Sequence, residues 1–89
     1  MESLSKIVGA NIKYYRFQKK LSQETLSESL DLSMKYISDV ESGKYNLSLS
    51  SLEKLGKLLD VAPYKFLMPN PKAKNLPSRV DLYWKSKTN

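Results

Sequence analysis

Residues 21–43, LSQETLSESLDLSMKYISDVESG, constrain the fold more than any other part of the chain. They hold two short helical patterns, each opened by a serine and separated only by Asp31, Leu32 and Ser33. Ser22 is placed to accept from a backbone N–H of a first helical turn, and Leu26 and Leu30 then fall on one line. Ser33 repeats the device for a helix over about 33 to 42. Ile37 and Val40 supply its apolar line, and Gly43 supplies the stop that glycine provides past a helix end. Helices this short are marginal alone. Both must therefore bury their apolar faces elsewhere, and so short a link makes them cross steeply.

The flanking segments offer that cover. Leu4, Val8, Ile12 and Tyr15 recur at spacings of four, four and three, which predicts a first helix over about 4 to 19. Leu49, Leu52, Leu55 and Leu59 predict a fourth helix, and Pro63 suits the first turn of a short fifth, where Phe66 and Leu67 cap the core. Nothing in residues 1–68 reads as a strand. With helices one and four closing the core, the outer side of helix three is left with Lys35, Ser38, Asp39 and Ser42. It is polar and short enough to enter a DNA groove, which is the helix-turn-helix arrangement.

Composition narrows the alternatives. At 89 residues the chain is expected to form one small domain. It has no cysteine and no histidine, so disulfides, thiolate metal sites and the commonest general base are unavailable, and neither an enzyme nor a cofactor is expected. The many serines have no histidine to activate them. No apolar run has membrane-spanning length and the first residues lack a signal-type apolar stretch, so a cytoplasmic protein with no membrane partner is expected. The sequence pI of about 9.6 fits a nucleic-acid partner.

The charge is uneven. Residues 1–68 carry ten Lys/Arg against eight Asp/Glu, net +2, whereas residues 69–89 carry five against one, net +4. Three of the four prolines also fall in that second part. The chain thus divides into a helical domain, 1–68, and a basic, proline-containing tail, 69–89, expected to be extended, strand-forming or disordered. Val80, Leu82 and Trp84 alternate with Asp81, Tyr83 and Lys85, a period of two that suits a strand or a docked extended segment.

Residues 4–67 resemble the Cro/C1-type (XRE) helix-turn-helix family. The resemblance rests on VGANIKYYR, on LSQETLSESL with Leu-Ser-Gln-Glu opening helix two, on Tyr-Ile-Ser before the Glu-x-Gly end of helix three, on Gly-Lys-x-Asn in the loop, and on the leucine-rich fourth helix. It implies an all-α, five-helix, phage-repressor-like domain with an extended C-terminal tail, and a regulator, most often a repressor, that reads double-stranded DNA as a homodimer. By the same resemblance Met34, Lys35, Tyr36, Ser38 and Asp39 face bases or line the groove. Ser22, Gln23, Lys44, Tyr45 and Asn46 meet phosphates, while Arg16 and Glu41 form a structural ion pair. The dimer surface is expected from Tyr64, Phe66, Leu67 and Met68, extended by Val80, Leu82 and Trp84 if the tail pairs as a strand. Four positions depart from the pattern. Asp31 stands where the turn usually has glycine, Leu47 where the loop has proline, Asp39 where a cation is common, and Asp60 where glycine often ends helix four. A second reading is a DNA-binding antitoxin whose tail engages a protein partner.

Overall fold

The computed structural model describes residues 2–87. Five α-helices are present: α1 (Leu4–Gln18), α2 (Gln23–Leu30), α3 (Met34–Glu41), α4 (Leu49–Leu59) and α5 (Val80–Lys85), with 3-10 turns at Pro63–Leu67 and Pro71–Ala73. There is no strand among the described residues.

The first four helices are punctuated alike. Ser3, Ser22, Ser33 and Ser48 each cap an N-terminus by accepting from the backbone N–H three residues on, at 3.0–3.3 Å. Each helix is then followed, within two residues, by one of positive φ: Lys20, Asp31, Gly43 and Asp60. The next N–H folds back onto the carbonyl five residues earlier, Leu21 to Arg16, Leu32 to Ser27, Lys44 to Asp39 and Val61 to Gly56, at 2.8–3.1 Å. Only one of the four positions is glycine. Asp31 adopts φ 56° and ψ 45°, so aspartate takes the left-handed turn usually given to glycine.

Ile12, Leu26, Ile37, Val40, Leu52, Leu55, Leu59 and Phe66 close one core. Two leucines at helix starts lie outside it, because Leu4 and Leu49 continue the periodic line beyond the reach of the packed faces and are exposed. The helix expected after Pro63 is a 3-10 turn, and it is fastened to α1 by Asn11. The Asn11 Nδ2 donates to the carbonyls of Phe66 (2.9 Å) and Met68 (2.7 Å) and, more weakly, Lys65 (3.3 Å). Its Oδ1 is buried with no hydrogen-bond partner among the described residues.

The approach of α3 to α1 is set by Gly9. A Cβ there would lie 2.3 Å from the Val40 carbonyl oxygen and 2.8 Å from that of Glu41. Only a residue without a side chain lets the last turn of α3 rest on α1 at this distance.

The tail departs from expectation. Val80–Lys85 are helical, not extended, and their aromatic rings lie on α1. Trp84 Nε1 donates to the Phe17 carbonyl at 2.6 Å and Gln18 Nε2 donates to the Tyr83 hydroxyl at 3.1 Å. The Tyr83 ring tilts against Phe17, with centroids 5.3 Å apart. These anchors fix which faces are covered, so the period-two pattern does not make a strand. Burial, with Tyr83 and then Tyr15 adding, pushes the neighbouring Tyr14 phenol above its ordinary value.

Candidate nucleic-acid interface

The inner face of α3 is committed. Ile37 and Val40 are in the core, and Glu41 is buried where it receives Arg16. The guanidinium and carboxylate meet in two parallel bonds, Nε to Oε2 at 2.7 Å and Nη2 to Oε1 at 2.9 Å, with both side chains nearly free of solvent. Arg16 Nη1 also donates to the Leu21 carbonyl at 2.8 Å, and Gln23 Nε2 donates to Glu41 Oε1 at 3.0 Å. One buried network therefore joins α1, the start of α2 and the end of α3. It leaves the amide of Gln23 half-buried, with its remaining N–H available at the α2 N-terminus.

The outer face is open. Met34, Lys35, Ser38 and Ser42 are exposed along α3. Asp39 is turned inward, and its carboxylate accepts from the Lys35 ammonium at 3.0 Å, with side-chain exposures of 13% and 85% respectively. These positions are therefore unequal, with an exposed cation tethered to a nearly buried carboxylate one turn away.

The loop after α3 continues this edge. Tyr36 is half-buried, and its hydroxyl donates to the Asn46 carbonyl at 3.1 Å. Tyr45 stacks on it with centroids 6.0 Å apart and planes 20° from parallel. The Asn46 side-chain oxygen accepts from the Ser5 hydroxyl. Lys44 is exposed at the turn. The structure thus sets Ser22 and Gln23 alongside α3, with Gln23 bonded at its Glu41 end, and Lys44, Tyr45 and Asn46 in the loop that follows that end.

Not every expected site residue is on a usable surface. Phe66, expected in a dimer interface, is completely buried in its own chain's core, edge-on to Tyr15 at 5.8 Å. Trp84 and Val80 are half-buried against the same chain. Tyr64, Leu67, Met68 and Leu82 remain exposed. Sequence reasoning missed Gly9, Asn11 and Phe17, although a glycine and an asparagine inside the helical run VGANI are the kind of interruption that a close approach or a buried polar clamp produces.

A short helix held by a buried ion pair, crossing the helix before it and presenting a polar edge outward, defines a helix-turn-helix domain. The chain belongs to the helix-turn-helix family, whose model matches residues 12–66. It is 35% identical over 68 residues to a hypothetical transcription factor of Neisseria meningitidis serogroup B, covering 76% of this chain and 64% of that one. It is 43% identical over 54 residues to the immunity repressor of Bacillus phage phi105, covering 61% and 38%. Among solved structures it resembles the restriction-modification controller protein C.AhdI from Aeromonas hydrophila, with a TM-score of 0.64, 35% identity, and 70% and 94% of the two chains covered. The chain thus spans less than two thirds of the length of the Neisseria and phage relatives.

Proposed function

We propose that this protein is a cytoplasmic, sequence-specific transcriptional regulator, a repressor that binds a pseudo-palindromic operator as a homodimer. The observation that carries the reading is the buried Arg16–Glu41–Gln23 network, which fixes α3 against α1 and α2 with its polar edge outward. Lys35 suits the acceptors of guanine, Met34 a thymine methyl and Ser38 several base edges, with Asp39 steering Lys35. Ser22, Gln23, Lys44, Tyr45 and Asn46 take backbone phosphates and set the register, and Tyr36 supports the loop that carries three of them. A single eight-residue helix supplies few base contacts, which favours two copies on two half-sites. The exposed Tyr64, Leu67 and Met68, beyond α4, offer the apolar surface for that pairing. No helix among the described residues is long and apolar enough to cross a membrane.

Selection of bound fragments from a random duplex pool tests this reading. A two-fold symmetric motif with half-sites about one helical turn apart is expected. Recovery of unenriched sequence would overturn it.

A further inference from the structure

The helix-turn-helix reading makes no use of the segment between Pro77 and α5, yet that segment crosses the face turned toward DNA. Ser78, Arg79, Val80 and Asp81 form one wall of a cavity of about 250 Å³. Ser22, Gln23 and Glu24 at the start of α2 form the facing wall, with Met34, the first residue of α3, beside them. Ser78 also borders a second cavity of about 300 Å³, together with Gln23, Ser38 and Ser42. The strap therefore lies beside both a reading residue of α3 and the phosphate-binding end of α2.

The position of the strap is fixed from its far end. The Trp84 indole is bonded to the Phe17 carbonyl, and Lys20 Nζ covers the indole ring at 4.9 Å from its centroid. Arg79, five residues before that anchor, is exposed. Its guanidinium meets Asp81 at 3.3 Å, with side-chain exposures of 68% and 67%. So open a pair is weak and salt-screened, and it engages one of five N–H donors. A phosphate, which accepts two parallel guanidinium bonds, is the stronger partner.

We propose that Arg79 is a DNA-contacting residue, carried by the strap to the edge of the half-site to take a backbone phosphate next to the one met by the start of α2. The inference rests on the reading that the α3 face binds DNA. In the free protein Asp81 holds the guanidinium, and on DNA the phosphate replaces it. Asp81 is then a competing anion, so its neutralisation strengthens binding.

The test uses the full chain and two duplexes, the selected operator and a mixed-sequence control. Arg79→Ala should weaken binding to both and lower the salt slope by about 0.9, so that its deficit against the parent shrinks about 3.5-fold between 50 and 200 mM salt. Asp81→Asn should bind both more tightly than the parent. Trp84 emission reports whether the strap stays docked in each variant. If Arg79→Ala undocks it, Asp81→Asn decides, and equal or weaker binding by that variant overturns the proposal. Arg79→Ala binding as the parent does, with the same salt slope, overturns it too. Tighter binding by Arg79→Ala makes the strap a cover over the α2 end and overturns the contact. A parent that binds neither duplex sinks the α3 reading beneath it, whereas a parent weakened by Lys44→Ala but indifferent to Arg79→Ala sinks this inference alone.

Discussion

Replacing Arg16 with alanine removes the guanidinium of a residue that is 1% exposed and makes three side-chain bonds of 2.7–2.9 Å. Two losses combine. The Glu41 carboxylate keeps only the Gln23 amide, and the Leu21 carbonyl loses its side-chain donor. Breaking a buried pair from one side costs about 3–5 kcal/mol, because the charge left behind is uncompensated. For a domain of this size each kcal/mol moves Tm by about 4–8 °C, so the midpoint should fall by at least about 12 °C. Thermal unfolding followed by far-UV circular dichroism measures this directly. The charge-free double variant Arg16→Met with Glu41→Leu should recover most of the loss, since hydrophobic residues of similar volume replace such pairs at little cost. An Arg16→Ala protein that melts with the parent yet fails to bind DNA would refute the structural role and make Arg16 a DNA contact.

Gly9→Ala places a methyl 2.3 Å from the Val40 carbonyl oxygen, so α1 and α3 must separate, and destabilisation of at least about 1–3 kcal/mol is expected in urea unfolding. Asp60→Gly relieves a non-glycine residue at φ 58° and should raise Tm by about 2–8 °C, from about 0.5–1 kcal/mol of relieved strain. Lys44→Ala should weaken operator and non-operator binding alike and reduce the salt slope by about 0.9, and a loss confined to the operator would contradict its positioning role.

The helix-turn-helix unit was legible because its signals are local. Ser22 and Ser33 cap at fixed distances, Leu26, Ile37 and Val40 keep the helical period, and Gly43 stops α3, so neighbouring residues alone define the pair. The Arg16–Glu41 pair came from family resemblance, and the structure makes it bidentate and buried. The tail was not legible, because its conformation depends on a surface 67 residues away in sequence. The alternation put Tyr83 among the polar positions, yet its ring is what packs against Phe17. Phe66 was expected both to cap the core and, by resemblance, to face a dimer partner, and the Asn11 clamp and the Tyr15 ring hold it to the first role.

The measurement that bears most directly on sequence reading by α3 is a random-pool selection run in parallel with the parent and with Lys35→Ala. Lys35 is exposed at the start of α3 and takes no part in the core, so the variant should fold and dimerise as the parent does. Loss of a side chain that reads guanine removes about 1–3 kcal/mol of discrimination at one position. The predicted result is a motif of unchanged spacing and symmetry, relaxed at a single base pair in each half-site. Identical motifs from the two proteins, or a loss of enrichment spread evenly over all positions, would contradict the assignment of α3 as the reading helix.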